Sequence, residues 1–243
     1  MNALTRFNKQ FGRRHALLPV VHCIDEGQVN TAVDVALSNG ADGVWLINQG
    51  GMTIYEVVGS AVAVAERGCP FVGVNLLGCD VPEAIDVIAN NGSIIDGVWS
   101  DNARMHLDNV GHESGAHYGE VVRAKRQWFA WQGLYFGGVA FKYQRPVPPE
   151  QWGATAKYAA PWVDVITTSG EGTGIAAPPE KLRAMRDAIG DHPLALASGV
   201  TPDNIGDYLD TVDAFLVSTG IEQSFGVFDP AKVKALAQAI HGG

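Results

Sequence analysis

The stretches DVITTSGEGTG at 164–174, PLALASGV at 193–200 and DAFLVSTGI at 213–221 decide the reading of this chain. Each runs from a β-branched or apolar strand into a turn of Ser or Thr with Gly, and then toward a helix-like stretch. Small residues let backbone N–H groups crowd a ligand, and a helix N-terminus adds partial positive charge. Such turns after the last strands of a parallel barrel make a phosphate cradle. The last third therefore predicts an architecture and the anionic anchor of a ligand together.

Upstream the same alternation continues. Apolar runs at 17–21, 43–47, 71–75, 95–99, 135–141, 163–167, 194–197 and 214–217 read as strands buried on both faces. Amphipathic runs at 29–38, 54–67, 82–91, 118–131, 150–159, 179–189, 202–209 and 230–240 read as helices. Asp80, Thr201 and Asp229 each stand before a helix with Pro in its first turn, and Asn39-Gly40, Asn91-Gly92 and Gly190 supply stops. Eight strands alternating with eight helices in 243 residues predict a single-domain (β/α)₈ TIM barrel over 1–243. Leu4, Phe7 and Phe11 lie at helical spacing, so a short N-terminal helix packs under the barrel.

Composition narrows the function. Apolar residues make up 47% of the chain, enough for a large core, and no apolar run is long enough to span a bilayer. A net charge of −9 argues against nucleic acid, whose phosphates need clustered Lys and Arg. Three cysteines with no CxxC pair read as reduced thiols, and the protein is expected to be cytoplasmic. Homo-oligomerisation stays open. No organic cofactor is indicated.

In a barrel the reactive groups stand at the C-terminal strand ends. There the sequence places His22, Asn75, Asp101 and Lys142 as catalytic candidates. Lys142, between Phe141 and Tyr143, suits a desolvated base or Schiff-base nucleophile, or else a lysine that pairs with a carboxylate or holds an anion. Asp101 and Asp80 could split acid and base roles or hold a divalent metal, with an N-cap as the plain reading of Asp80. His22 is either an acid/base group or a satisfied core histidine. Gly172, Thr173, Gly174, Ser198, Gly199, Thr219 and Gly220 form the expected phosphate cradle, the plain alternative being tight turns. The segment 100–119 lacks periodicity and reads as a lid over the mouth. Its His106, His112 and His117 match no familiar zinc spacing and read as solvated, so no metal-binding residues are assigned.

The chain resembles the BtpA family of TIM-barrel proteins, relatives of the phosphate-binding barrels. The matching stretches are VVHC at 20–23, GVNLLGCD at 73–80, GGVAFKY at 137–143, TTSGEGTG at 167–174, SGVTPDNIGDYL at 198–209 and VDAFLVSTGI at 212–221. Two places depart from it: IDEGQ at 24–28 replaces a turn rich in Pro and Gly, and Gly78-Cys79 replaces Arg-Asn. The resemblance implies the barrel and, through the family's association with photosystem I assembly, a non-enzymatic assembly or regulatory factor as the alternative. The residues favour a barrel that binds a phosphorylated small molecule of phosphosugar or phosphoribosyl type, as an isomerase, lyase or transferase.

Overall fold

The eight apolar runs form eight short parallel strands that close on themselves in chain order. They are β1 (Ala16–His22), β2 (Val44–Ile47), β3 (Val72–Asn75), β4 (Gly97–Ser100), β5 (Leu134–Gly138), β6 (Val165–Ser169), β7 (Leu194–Ala197) and β8 (Ala214–Val217). The structure is a computed structural model that describes residues 1–12, 14–91 and 94–242, so Gly92, expected as part of a helix stop, lies outside it. Closure is made by β1, which pairs Val20 with Trp45 of β2 and Pro19 with Val217 of β8.

Alternate residues of each strand face two cores. Leu18, Val20, Trp45, Phe71, Trp99, Phe136 and Leu216 fill the barrel, while Leu17, Val21, Leu46, Val74 and Ile166 meet the helices. Trp45 dominates the interior, its ring centroid 4.9 Å from that of Phe136 and 5.2 Å from that of Phe71. A Cβ on Gly73 would lie 2.2 Å from the Trp45 ring and one on Gly97 2.8 Å from it. One large indole thus requires glycine on two neighbouring strands, as close packing demands.

The helices are α1 (Ala3–Phe11), α2 (Glu26–Ser38), α3 (Ile54–Glu66), α4 (Val81–Asn90), α5 (Gly115–Trp128), α6 (Trp152–Ala159), α7 (Pro179–Ile189) and α8 (Pro230–His241). The first closes the N-terminal end of the barrel: Phe7 is buried, Phe11 packs on Phe71, and Arg6 donates to the carbonyls of Gln132 and Gly133. The other seven follow β1 to β6 and β8.

Three expectations need correction. The helix expected at 202–209 is only a 3-10 turn, Ile205–Asp207. Asn204 accepts the Thr201 N–H and donates to the Gly199 carbonyl, a local bonding pattern that competes with a helix start, and Gly206 adds its propensity cost. After β8 the chain makes an antiparallel hairpin, β9 (Glu222–Ser224) with β10 (Val227–Phe228), before α8 begins. Finally, β5 stops at Gly138 rather than 141. A Cβ there would lie 2.0 Å from the Asp101 carbonyl, and Ala140 then turns through φ +47°.

Candidate active site

The C-terminal mouth holds a cavity of about 220 Å³, floored by Val20, Ile47, Trp99 and Leu216. His22, Asp101, Lys142, Thr173, Ser198, Ser218 and Thr219 all reach it, so residues from six βα units meet in one space. His22 ends β1 and Asp101 follows β4, as expected. Lys142 does not end a strand. It hangs in the loop after β5, its N–H anchored on Ser169 Oγ at 2.8 Å.

Asn75, buried at the end of β3, donates its amide to Asp101 Oδ1 at 3.0 Å. Burial pushes the Asp101 carboxyl above its ordinary value, against the opposing pull of the Asn75 hydrogen bond and the Lys142 charge. Burial likewise lowers the Lys142 ammonium, partly offset by Asp101 and Tyr143. The two groups therefore sit where the charged forms of both are disfavoured, an environment suited to proton exchange. Lys142 Nζ donates to Thr173 Oγ1 at 3.3 Å, and Tyr143 Oη bonds the same hydroxyl at 3.2 Å and accepts the Thr173 N–H at 3.1 Å. These contacts latch the loop after β5 to the loop after β6.

Across the mouth, His22 stands beside Ser218 and Glu222. Ser218 Oγ donates to Glu222 Oε1 at 2.8 Å, and His22 Nδ1 lies 3.4 Å from both oxygens. Burial raises the Glu222 carboxyl, but hydrogen bonds from His22, Ser218 and the Gly226 N–H outweigh it and hold the group below its ordinary value. Glu222 escaped sequence reasoning because it lies in a hairpin where a helix approach was expected. The turn at Phe225-Gly226, where Gly226 takes φ +74°, brings the carboxylate back over β1, and no sequence pattern announces that pairing. Gln28 pins the hairpin by donating to the Gly226 carbonyl at 2.6 Å.

The glycine turns gather as a cradle, with Gly174 N–H donating to Ser198 Oγ at 2.9 Å. Among the described residues, the N–H groups of Gly199, Thr219 and Gly220 meet no protein acceptor. Ser198 takes φ +74°, a strained setting that costs about 1 to 3 kcal/mol and is concentrated at functional sites. Gly199 and Gly220 also serve the fold. A Cβ on Gly199 would lie 2.2 Å from Ala176 N, and one on Gly220 1.8 Å from the Val200 carbonyl. Gly172 lines the turn without reaching the cavity floor. Among the described residues only the 3-10 turn Ile205–Asp207 follows β7 and no α-helix immediately follows β8, so any anion there would be held by loop N–H groups and hydroxyls.

Asp80 is committed elsewhere. It caps α4 by accepting the Glu83 N–H at 3.0 Å and lies 3.6 Å from Arg104. Among the described residues no three His, Cys, Asp or Glu side chains gather as a metal ion would require. The segment 101–114 contributes only Asp101 to the mouth cavity. Its remainder packs aside, with Arg104 over the Tyr118 ring and Arg145 paired to Asp108. Burial pushes the Cys23 thiol up to about 12, which leaves it an inert core group. No helix among the described residues is long and apolar enough to cross a membrane.

No family model matches the chain. An N-(5'-phosphoribosyl)anthranilate isomerase of Haloferax volcanii is 38% identical over 93 residues, covering 35% of this chain and 42% of the relative. The chain thus spans less than half the length of the curated relatives it matches. Among solved structures, the phosphoribosyl anthranilate isomerase of Thermus thermophilus superposes with a TM-score of 0.62 at 16% identity, over 93% of this chain and 98% of that one. The (S)-3-O-geranylgeranylglyceryl phosphate synthase of Thermoplasma acidophilum, solved with sn-glycerol-1-phosphate, gives 0.68 at 13% identity over the full length of both. These likenesses establish the barrel. Both neighbours are enzymes whose names carry a phosphorylated compound, and neither is a BtpA protein.

Proposed function

We propose that this chain is an enzyme that binds a phosphorylated small molecule of phosphosugar or phosphoribosyl type at the barrel mouth and acts on it as an isomerase, lyase or transferase. The observation that carries the reading is the division of the mouth into two halves. On one side Thr173, Ser198, Gly199, Thr219 and Gly220 present hydroxyls and unspent N–H groups, which suit phosphate oxygens. On the other, His22, Asp101 and Lys142 offer groups that can move a proton, and Asn75 holds the Asp101 carboxyl in place. A cavity of about 220 Å³ lies below the usual size of ligand pockets and so favours a small ligand. The short matches to phosphoribosylanthranilate isomerases support the same ligand class. No organic cofactor belongs to this proposal.

Thermal-shift titration with inorganic phosphate, ribose 5-phosphate and glycerol phosphate, against the unphosphorylated sugars, tests it. A ligand at one hundred times its Kd stabilises the native state by about 2.7 kcal/mol, roughly 5 to 10 °C in Tm for a chain of this length. Thr219 is exposed at the cradle, so Thr219→Glu adds a negative charge without steric conflict and should abolish the shift. Equal shifts with ribose, or a shift that survives Thr219→Glu, would sink the phosphate reading. Gly199→Asp is unsuitable as the probe, because its side chain would collide with the Ala176 backbone.

A further inference from the structure

We propose that Glu222 is the positioning residue of the mouth, holding His22 as the Nδ1–H tautomer with a bare Nε2 available to the cavity as a proton acceptor. The chemical role of that nitrogen rests on the mouth being an active site, whereas its protonation state follows from geometry alone. Glu222 Oε1 receives the Ser218 hydroxyl at 2.8 Å and the Gly226 N–H at 3.0 Å. A serine hydroxyl has one proton. Once it is given to Glu222, Ser218 Oγ can only accept from its other neighbour, His22 Nδ1, at 3.4 Å. The second neighbour of Nδ1 is Glu222 Oε1 itself, also at 3.4 Å and also an acceptor. With two acceptors facing it, Nδ1 carries the proton of the neutral ring, and Nε2 keeps its lone pair.

The ring is fixed as well as protonated. Phe225, at the tip of hairpin β9–β10, stacks on His22 with centroids 4.8 Å apart and planes 8° from parallel. Gln28 ties the same hairpin to the turn after β1 by bonding the Ile24 N–H and the Gly226 carbonyl. His22 itself is only 8% exposed and that exposure opens on the mouth cavity. A carboxylate only 9% exposed is costly to bury, and here all its visible partners serve one imidazole or the turn that carries it. A buried carboxylate behind a histidine sets tautomer and orientation in other acid/base sites by the same physics.

The experiment is long-range ¹H–¹⁵N correlation of the imidazoles in the ¹⁵N-labelled full chain near pH 8, where an ordinary histidine is neutral. The His22 signals are assigned with His22→Gln. Wild type should show a protonated Nδ1 and an unprotonated Nε2. Glu222→Leu removes the acceptor that takes the Ser218 proton, so the freed hydroxyl can donate to Nδ1 and the signature should be lost. Ser218→Ala should keep it, since Glu222 remains as acceptor. A wild-type His22 protonated on Nε2, or a Glu222→Leu spectrum identical to wild type, overturns the proposal. If Glu222→Leu fails to fold, the wild-type and Ser218→Ala spectra still decide it. The measurement uses no ligand, so a failed phosphate titration leaves this result standing and the reverse also holds.

Discussion

A cavity of about 720 Å³ lies at the N-terminal end of the barrel, whereas the mouth holds about 220 Å³. Volume alone favours the end that the proposed function does not use. The polar groups tell the two apart. At the N-terminal end Asp164 takes Arg126 at 2.9 Å, Arg6 at 3.3 Å and the Tyr135 N–H at 2.8 Å. Asp213 takes Arg186 at 2.5 Å, Arg14 at 3.0 Å and the Leu194 N–H at 2.8 Å. The spare guanidinium protons go to backbone carbonyls at Gly133, Gly190 and Thr211. At the mouth, N–H groups are unspent and a lysine and a carboxylate are both held against their preferred charge. At the N-terminal cavity the unpartnered buried side-chain atom among the described residues is His192 Nε2, whereas at the mouth unspent groups cluster, and that clustering rather than empty space supports the mouth as the proposed ligand end.

The comparison breaks most visibly at Asp213. Its side chain is largely buried and pairs with Arg186, which is equally screened from water. Removing one partner of a buried pair costs about 3 to 5 kcal/mol, because the other charge is left uncompensated. Asp213→Ala should therefore lower Tm by roughly 10 °C for a chain of this size. Arg14 is half exposed and adds little to that loss. Ligand-induced shifts measured on the variant should match wild type. An unchanged Tm would mean that these ion pairs are ornaments and that the contrast between the ends is false.

This contrast was half legible in the sequence. Strands β7 and β8 and helix α7 fall at the expected residues, because apolar runs with glycine punctuation leave no competing period. The positions of the candidate residues were legible for the same reason: a strand end is a sequence position, and His22 and Asn75 could be counted to it. Asp101 follows its strand directly. Lys142 was read to the right place for the wrong cause, since β5 ends four residues earlier and the loop delivers it. Glu222 was not legible. Its role depends on a hairpin of five ladder residues whose pairing, Val227 with Ser224 and Phe228 with Glu222, is a contact rather than a pattern. The turn at 198–204 misled because Thr-Pro-Asp reads as a helix start, while Asn204 spends its side chain on Thr201 and Gly199 instead.

A second test sharpens the picture at the mouth's outer wall. Lys181 of α7 is 6% exposed and gives its ammonium to the Ala140 and Ser169 carbonyls at 2.5 and 2.7 Å, bracing the ends of β5 and β6. Burial lowers its pKa to about 8, with Glu171 opposing. The folded value lies below the unfolded 10.5, so the native state binds fewer protons between them. Stability should then rise with pH from about 8 to 10.5, the penalty being fully present below about 8. At 1.36 kcal/mol per unit the penalty is about 3 kcal/mol. Denaturant titrations of wild type and Lys181→Met across that window check it: the difference between the two should change by about this amount. A constant difference would show that the braced lysine carries no electrostatic cost.

The smallest expected effect is also the one that separates the ends by sign. The Asp101 carboxyl is raised by burial, against Asn75 and Lys142, so its folded pKa lies above its unfolded 3.8. The native state then binds more protons than the unfolded chain. The favourable contribution is present below 3.8 and is lost as pH rises through the folded value, which leaves the ionised carboxylate a burden at neutral pH. Asp101→Asn keeps the oxygen that accepts the Asn75 amide and removes the charge. It should raise Tm at neutral pH, leave Tm unchanged in strong acid, and weaken or abolish turnover if the mouth is catalytic. Replacing an acid at the N-terminal end costs stability, and replacing this one should add it, the exchange expected where strain is kept for chemistry. If Asp101→Asn instead lowers Tm at neutral pH, attraction to Lys142 exceeds the burial cost. The pair would then be a structural brace like Arg186 and Asp213, and the reactive half of the mouth would narrow to His22 with Ser218 and Glu222.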